Sequence, residues 1–284
     1  MSFALSDPRP QPPLNSTPFH LWTAPDGSPW TYFYLRGHHY IARFPGMADF
    51  ELSADGASIQ CYPVPGTPLP TIEHLYLNQV LPLALSRQGK LVFHASAIES
   101  QAGALVFMGP SGRGKSTLAA SFAQNRFRIL ADDALQIDKT ADGAYQARPG
   151  HRSIRLWADS QAAVAPGSTR RAPSLDHTDK ARLLPDSTLA FCPTPRPLHR
   201  IYLLGDDTVS ETVFLPVRPR DALIEMLRHS FILDFRAPGL MEAHFDRLAD
   251  LVRQPIHYRL EYPRRYDRLP ALCQAILDHA AACA

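Results

Sequence analysis

Short runs of alternating or aromatic residues, broken by turn residues, mark the first part of the chain. Between about residue 19 and residue 63 this pattern is typical of antiparallel strands joined by hairpins. The clearest runs are residues 30–35, 39–44 and 50–53, with turn pairs at 26–27, 36–37 and 55–56. We predict a small antiparallel sheet here, after an extended, proline-marked lead over residues 1–17. Its aromatic residues are expected in a core rather than in a platform that stacks on a ligand.

Longer elements alternate along the rest of the chain. Hydrophobic residues recur at helical spacing over residues 71–87, so we expect an amphipathic helix that bends at Pro82 and ends at Gly89. Further strands are predicted over residues 91–98, 104–108, 128–133, 134–137, 198–204, 211–217 and 256–262, and helices over residues 115–124, 219–230, 238–253 and 269–281. This alternation predicts a mixed α/β fold with a small N-terminal β region and linker over residues 1–70 and a main domain over residues 71–284.

One glycine-rich stretch stands between a predicted strand and a predicted helix. Its nine residues fit the phosphate-binding pattern G-x-x-x-x-G-K-[ST] at every fixed position. They are Gly109, Pro110, Ser111, Gly112, Arg113, Gly114, Lys115, Ser116 and Thr117. Glycines let successive N–H groups turn inward around an anion, and the following helix adds the positive end of its dipole. We predict that Lys115 reaches the β- and γ-phosphates of a nucleotide and that Ser116 ligates Mg²⁺; the alternative is a glycine-rich turn with an unrelated lysine.

A pair of acidic residues ends the next predicted strand. Asp132 lies 17 residues after the lysine of the loop (132 − 115), where an aspartate would stand beside Mg²⁺, directly or through water. The neighbouring Asp133 could accept a proton from an attacking hydroxyl. Adjacent side chains of a strand point to opposite faces, so both acids can reach one polar cleft only if the strand is ending. The alternative is a solvated acidic turn.

A histidine, His94, stands in the middle of an apolar run. A histidine in such a run is commonly a core residue that is satisfied by a backbone carbonyl. Because the neighbouring predicted strand leads directly into the glycine-rich loop, His94 could instead face the bound phosphates.

Composition and charge narrow the choice of partners. A net charge of +2 argues against nucleic acid or an anionic membrane as the main partner. The start of the chain lacks a basic segment followed by an apolar one, and no stretch approaches the length of a membrane span. The cysteines, Cys61, Cys192, Cys273 and Cys283, lie far apart without metal-ligand spacing. We therefore expect a cytoplasmic protein with reduced thiols.

Taken together, these motifs resemble a known family. The segment His94-Ala95-Ser96-Ala97-Ile98, the loop Gly109–Thr117 and the segment Leu130-Ala131-Asp132-Asp133 occur in the order and spacing found in HPr kinase/phosphorylase-like proteins. The close resemblance covers about residues 90–137, and residues 215–220 are a weaker match. Within that family the chain looks most like stand-alone kinases that modify lasso-peptide precursors on a C-terminal serine. Those kinases share the N-terminal β region, the helix before His94, the segment Arg155-Leu156-Trp157 and the C-terminal tail.

The resemblance implies a fold and a reaction. The fold would be a P-loop kinase core of the HPr-kinase/PEP-carboxykinase-like type with a small N-terminal antiparallel β region. The reaction would be phosphorylation of a serine hydroxyl on a peptide or protein, dependent on ATP and Mg²⁺, and a homo-oligomer is possible. The resemblance gives less support to phosphorolysis as a second reaction. It also gives less support to HPr as the substrate, because the N-terminal half does not resemble the usual HPr kinase N-domain.

Matched by position, several residues acquire roles from this resemblance. Asp133 corresponds to the acid/base aspartate, Lys115 to the phosphate-binding lysine and Ser116 to the Mg²⁺-binding hydroxyl. His94 corresponds to the active-site histidine. The metal-binding glutamate of the family has no clear counterpart, and Asp159 is the nearest acid. The further catalytic arginine of the family falls in the polar stretch 164–182, where Lys180 or Arg182 could serve; this stretch is either a mobile loop over the site or simple surface.

Two other classes of function remain open from the sequence. A small-molecule kinase would use the same donor chemistry with a different acceptor pocket, and a nucleotide-gated binding protein or ATPase switch would transfer phosphate only to water. A GTPase is disfavoured because Lys139 is followed by Thr140-Ala141 and not by the x-Asp of a guanine-reading motif. An ABC-type ATPase is disfavoured because no LSGGQ-like stretch is present.

Overall fold

The computed structural model describes residues 1–24, 26–167, 170–172 and 180–282. The chain divides into two compact units. The first unit is Met1–Gly89 together with Ile232–Phe235, and the second unit is Lys90–Phe231 together with Arg236–Ala284.

A six-stranded sheet forms most of the first unit. Its strands are β1 (Ser2–Leu5), β2 (His20–Thr23), β3 (Pro29–Arg36), β4 (His39–Phe44), β5 (Ala48–Leu52) and β6 (Ser58–Pro63), in the order β1-β6-β5-β4-β3-β2. The predicted hairpin strands and turns are confirmed, and Phe33, Phe44 and Phe50 are buried, as expected of core aromatics. The extended lead is a correction: it contains β1, which pairs parallel to β6. All four β1 side chains are exposed, and a strand of four residues is too short for alternation to identify it in the sequence.

The helical segment of the first unit is built in three pieces. Helix α1 (Leu69–Leu75) continues through a π-helical turn (Tyr76–Val80) into helix α2 (Leu81–Arg87). Pro82 lies in the first turn of α2, where a missing N–H is tolerated, and so it begins a new helix where a bend had been predicted. These helices pack with the sheet: Gln88 donates to the Gly56 carbonyl at 2.8 Å. The unit therefore ends after Gly89, whereas the sequence suggested a boundary after residue 70.

The second unit contains a nine-stranded mixed sheet. The path β10-β8-β9-β15-β12-β11-β7 is extended by β17, which pairs with β15 and β16. The strands are β7 (Leu91–Phe93), β8 (Ala95–Ser100), β9 (Gly103–Met108), β10 (Arg128–Ala131), β11 (Leu135–Lys139), β12 (Tyr145–Ala147), β15 (Arg196–Leu204), β16 (Val213–Pro216) and β17 (His257–Glu261). A separate pair, β13 (Ile154–Leu156) and β14 (Ala181–Leu183), is antiparallel.

Helices cover both faces of this sheet. They are α3 (Lys115–Gln124), α4 (Ala158–Val164), α5 (Pro219–Arg228), α6 (Pro238–Leu251) and α7 (Leu269–Ala282). Strand β9 shows the consequence, because Leu105 and Phe107 pack in the core cluster with α3 and α7. The alternate residues Val106 and Met108 pack in the cluster with α5 and α6. Since β9 is buried on both faces, its sequence is a continuous apolar run. The mixed α/β prediction is confirmed.

The strand predicted over residues 91–98 is interrupted at His94. Strand β7 pairs with β11, whereas β8 pairs with β9 and β10, so the two halves lie in different parts of the sheet. His94 is the residue at the break, and its backbone N–H donates to the carbonyl of His229 at 2.8 Å.

Three observations complete the fold. Cys61, Cys192 and Cys273 are buried free thiols, and Cys283 lies outside the described residues. Of the stretch 164–182, residues 168–169 and 173–179 also lie outside them, so the loop prediction is not tested there. Within the described residues, no helix combines the length and the hydropathy of a membrane-spanning segment.

Candidate active site

The glycine-rich loop lies between the end of β9 and the start of α3, as the motif requires. Gly112 and Gly114 have φ of 81° and 85°, a backbone conformation that residues with a Cβ atom rarely adopt. A Cβ atom on Gly114 would also lie 3.3 Å from the Tyr262 hydroxyl. The curl of the loop therefore depends on glycine at these two positions.

Lys115 is buried inside this loop. Its Nζ donates to the carbonyl oxygens of Gly109 at 2.7 Å and Pro110 at 3.0 Å. Burial lowers the pKa of Lys115 to about 8, against the opposing pull of Asp132 and Asp133. The loop thus holds a cationic amine, in a partly desolvated position, beside the first turn of a helix.

Asp132 lies directly against the loop helix. Its Oδ1 accepts a hydrogen bond from the Ser96 hydroxyl at 2.5 Å, and its Oδ2 accepts one from the Arg155 backbone N–H at 3.2 Å. The Ser116 side chain lies close enough to this carboxylate to lower its pKa. Burial, followed by the charge of Asp133, raises the pKa of Asp132 to about 6. The structure therefore brings together the serine and the aspartate that were predicted as ligands of one metal ion.

Asp133 is held in an unusual backbone conformation. Strand β10 ends at Ala131, Asp133 has a φ of 65°, and the Ala134 N–H donates to the Asp132 carbonyl at 2.8 Å. A hydrogen bond between residues two apart, with a positive φ at the residue between them, is the pattern of a γ-turn. This turn is rare and strained. Because the strand has ended, the alternation of faces no longer applies, and both acids contact the Arg155 segment. They are only 4% and 9% exposed, so the solvated acidic turn is excluded.

The Asp133 carboxylate is paired with a cation. Arg155 donates from Nε to its Oδ2 at 2.6 Å. Burial disfavours the charged form, but the attraction of Arg155 and then of His94 outweighs it and lowers the pKa of Asp133 well below its usual range. This carboxylate is therefore ionised at neutral pH.

His94 is hydrogen-bonded to a backbone carbonyl, as one of the two interpretations predicts, and a place facing bound phosphates stays a prediction. Its Nδ1 lies 3.0 Å from the Asp133 carbonyl oxygen, which can only accept, so Nδ1 carries the proton. Burial, then the charge of Lys115, lowers the pKa of His94 to about 4, and the ring is neutral at pH 7. The ring also lines the cavity, where the unprotonated Nε2 is the ring's remaining acceptor.

A cavity of about 430 Å³ opens over the loop. One group of lining residues is polar or charged: His94, Lys115, Ser116, Asp133, Lys180 and Arg155, all of which except Arg155 belong to the predicted chemistry. A second group comes from the segment before and at the start of α7: Tyr262, Arg264, Arg265, Tyr266 and Leu269. The loop residues Ser111, Gly112, Gly114 and Thr117 and the β13–α4 residues Leu156, Trp157, Asp159 and Ser160 complete the lining.

The remaining predicted residues are distributed unevenly around this cavity. Lys180 lines it, with Nζ 5.1 Å from the centre of the Trp157 ring. Burial and then the Arg155 charge lower the pKa of Lys180. Arg182 is buried in β14, paired in register with Arg155, and does not line the cavity. Arg113 turns away from the cavity to form an ion pair with Asp206.

Asp159 lies at the cavity, but its carboxylate has protein partners. Its Oδ1 accepts from the Ser160 N–H at 2.8 Å and its Oδ2 from the Tyr266 hydroxyl at 2.8 Å. Within the described ranges, no three His, Cys, Asp or Glu side chains converge as a metal site. That is compatible with Mg²⁺, which binds through one or two protein ligands, phosphates and water in nucleotide sites. The assignment of Asp159 as a metal ligand stays a prediction.

Two parts of the site were not identified from the sequence. Arg155 was noted only within a shared segment, yet it is the partner of Asp133. Its place two residues before Trp157, across a short strand, puts the two side chains on one face and was the available signal. The segment from Tyr262 to Tyr266 carries no motif, and it reaches the loop only through the tertiary fold.

Comparison with known proteins adds little to this picture. No family model matches the chain, and no curated protein matches it. Among solved structures, the chain is similar to the HPr(Ser) kinase/phosphatase from Coxiella burnetii, with 8% sequence identity and a TM-score of 0.34. The match covers 67% of this chain and 97% of that protein. The function proposed next therefore rests on the residues of the cavity and not on this likeness.

Proposed function

We propose that this protein is a phosphotransferase that uses ATP and Mg²⁺ to phosphorylate a serine hydroxyl of a peptide or protein. The observation that carries the proposal is that Ser116 of the glycine-rich loop and Asp133 line one cavity, with the buried Asp132 carboxylate near Ser116. A phosphate-binding loop, a metal-binding serine and aspartate, and a second, ionised aspartate are the parts that a P-loop kinase needs.

The residues present fit both the nucleotide and the metal. The amine of Lys115 bonds only to loop carbonyls in the contacts described above, and it can turn to the β- and γ-phosphates of ATP. Ser116 and Asp132 would hold Mg²⁺, for which oxygen donors are the preferred ligands. When bound, the metal ion neutralises charge on the phosphate oxygens. Asp132 must then be ionised, and because its pKa is raised to about 6, binding displaces a proton from it at or below about pH 6.

On the acceptor side, Asp133 would receive the proton of the attacking hydroxyl. With a lowered pKa it is a weak base, so its main contribution is to hold the hydroxyl oriented while the bond to phosphorus forms. Arg155 and Lys180 place positive charge beside Asp133, where it can stabilise the oxygens of the transferring phosphoryl group. Neutral His94 holds the Asp133 backbone through Nδ1 and presents Nε2 as an acceptor in the cavity.

For the acceptor we propose a peptide with a C-terminal serine, of the lasso-peptide precursor type. This part rests on the resemblance carried by His94–Ile98, the glycine-rich loop and Leu130–Asp133. The identity of the acceptor is independent of the chemistry at the nucleotide, and the experiment below tests the two separately.

The test uses the full chain with ATP, Mg²⁺ and a precursor peptide that ends in serine, beside the same peptide ending in alanine. We expect one phosphoryl group on the serine peptide and none on the alanine peptide, measured by mass spectrometry. Phosphorylation of both peptides would contradict the C-terminal site. Transfer only to small-molecule hydroxyls, or ATP hydrolysis with no phosphorylated acceptor, would replace the peptide kinase by a small-molecule kinase or an ATPase switch.

A further inference from the structure

Half of the cavity lining has no part in the phosphoryl-transfer chemistry. Tyr266 is an aromatic residue of this half: it lines the cavity, and it is 43% exposed. Arg264, Arg265 and Leu269 line the cavity beside it.

A chain of hydrogen bonds ties this ring to the glycine-rich loop. The Thr117 hydroxyl donates to the Ser160 hydroxyl at 3.1 Å, and Ser160 Oγ lies 3.0 Å from the Tyr266 hydroxyl. The Tyr266 hydroxyl in turn donates to Asp159 Oδ2 at 2.8 Å. Thr117 is in the first turn of α3, immediately after the residues that would hold phosphate. The ring is therefore held at a defined place relative to the start of the helix.

A second contact fixes the same segment to the loop itself. The Tyr262 hydroxyl donates to the Arg113 carbonyl oxygen at 3.3 Å, and Tyr262 is buried. The segment 262–266 is thus anchored at both ends, by Tyr262 on the loop and by Tyr266 on α3 and α4. An anchored aromatic ring loses little conformational entropy when it contacts a flat ligand.

We propose that the Tyr266 side of the cavity is the nucleoside subsite, where the Tyr266 ring stacks on the base of the nucleotide. This proposal rests on the proposed nucleotide-binding function of the loop. Asp159 and Ser160 are positioning residues, which hold the Tyr266 hydroxyl and so set the angle of the ring. Asp159 accordingly serves the base and not the metal ion.

The test compares ATP with inorganic tripolyphosphate, which carries the phosphates without a nucleoside. Calorimetric titrations in Mg²⁺ are done with the wild-type protein and with Tyr266→Ala. Stacking of a base on an aromatic ring is worth about 1–3 kcal/mol, so we expect ATP to bind roughly 5- to 150-fold more weakly to the variant. Binding of tripolyphosphate should be unchanged.

Three further variants make the result specific. Phe245→Ala removes an equally exposed ring on α6, away from the cavity lining, and should leave both affinities as in the wild type. Asp159→Asn keeps an acceptor for the Tyr266 hydroxyl and should preserve ATP affinity and its Mg²⁺ dependence. Asp159→Ala removes the acceptor and should weaken ATP but not tripolyphosphate.

The outcomes separate this proposal from the proposed function. Equal weakening of ATP and tripolyphosphate in Tyr266→Ala, or no change in either, would overturn the nucleoside subsite. A wild-type protein that binds tripolyphosphate as tightly as ATP would overturn it too, while leaving the phosphate site in place. Failure of the wild type to bind either ligand would overturn the proposed function as well. A weaker Mg²⁺ dependence of ATP affinity in Asp159→Asn would mean that Asp159 is a ligand of the metal ion and not a positioning residue for Tyr266.

Discussion

At the scale of single residues, Asp133 combines backbone strain with a stabilised charge. Its positive φ costs of order 1–3 kcal/mol, although aspartate tolerates this region better than most residues. Two contacts hold it there, the Arg155 ion pair on the carboxylate and the His94 ring on the carbonyl. The chain thus stabilises one orientation of one carboxylate at the cavity, at a local cost that a structural residue would not require.

Replacing this carboxylate should stop transfer without preventing nucleotide binding. For Asp133→Asn we expect kcat for the acceptor to fall by about 10²- to 10⁴-fold, because the ionised carboxylate that orients the hydroxyl and receives its proton is lost. The Kd for ATP should change only a few-fold, since the loop is intact. Steady-state kinetics and calorimetry measure the two quantities. Asp246→Asn, an exposed residue of α6, is the matched control; a wild-type kcat in Asp133→Asn would exclude the assigned role.

Asp132 provides a prediction about stability and pH. Its pKa is raised, so the folded protein holds this proton more tightly than the unfolded chain does, and ionisation above about pH 6 lowers the free energy of unfolding. Asp132→Asn should therefore be more stable than the wild type by roughly 1–3 kcal/mol at pH 8, without metal or nucleotide. The gain should shrink as the pH falls through 6 and vanish near pH 4.

Denaturant unfolding across this pH range, in the presence of a chelator, checks the prediction. Asp278→Asn, an exposed residue of α7, should show no such pH-dependent gain. A gain that persists at pH 4 would mean that packing, and not the charge, limits stability at this site.

At the scale of elements, hydrophobic periodicity predicted most helices and strands of the second unit. Helix α3 has the predicted bounds, and α5, α6 and α7 differ from theirs by one or two residues. Two features that the sequence did not predict, strand β1 and the break at His94, have a common physical cause. Strand β1 is defined by backbone pairing with β6, and the break at His94 is defined by which strand each half pairs with. Pairing over long sequence distances leaves no trace in local periodicity.

The residues of the candidate active site also divide into those that a local sequence pattern predicts and those that it does not. Residues that carry a motif or end an apolar strand, such as Lys115, Ser116 and Asp132, were predicted together and lie together. Arg155 and Tyr266 reach the cavity from β13 and from the segment before α7. Their contribution depends on where the fold brings these short elements, and neither short strands nor loops carry a strong sequence pattern.

The end of strand β10 offers a test at this scale. A Cβ atom on Gly150 would lie 2.9 Å from the Cβ of Ala131, and the Gly150 N–H donates to the Leu130 carbonyl at 2.8 Å. Gly150→Ala should therefore displace the strand end that carries both aspartates, lowering stability by about 1–3 kcal/mol and reducing kcat. Thermal unfolding and kinetics measure these effects.

Gly239→Ala is the matched control, because a Cβ atom there meets nothing within 4 Å in helix α6. It should be neutral or slightly stabilising. A Gly150→Ala protein as stable and as active as Gly239→Ala would show that the strand end adapts without moving the acids.

At the scale of the whole molecule, the first unit is assembled from two separated parts of the chain. Ile232–Phe235 belongs to it, although this segment follows α5 and precedes α6 of the second unit. Within the first unit, the Tyr40 hydroxyl donates to Asp234 Oδ2 at 3.1 Å, and both residues are buried. A four-residue segment thus supplies a buried polar partner to the sheet.

Removing this hydrogen bond should weaken the first unit alone. We expect Tyr40→Phe to lower the free energy of unfolding by about 1–3 kcal/mol, because a buried carboxylate loses a donor. ATP affinity should be unchanged. Tyr32→Phe, on strand β3, should change stability by less than about 0.5 kcal/mol. Chemical denaturation followed by tyrosine and tryptophan fluorescence gives the comparison, and an unaltered Tyr40→Phe would show that the segment is held by its other contacts.

This discontinuous unit also bears on how the protein emerges from the ribosome. Residues 1–89 are synthesised first, and Ile232 follows 143 residues later (232 − 89). At about 5–20 residues per second, roughly 7–30 seconds pass before the last part of the unit is available. The first unit therefore becomes complete only when most of the second unit has already been translated, so synthesis of the two units overlaps in time.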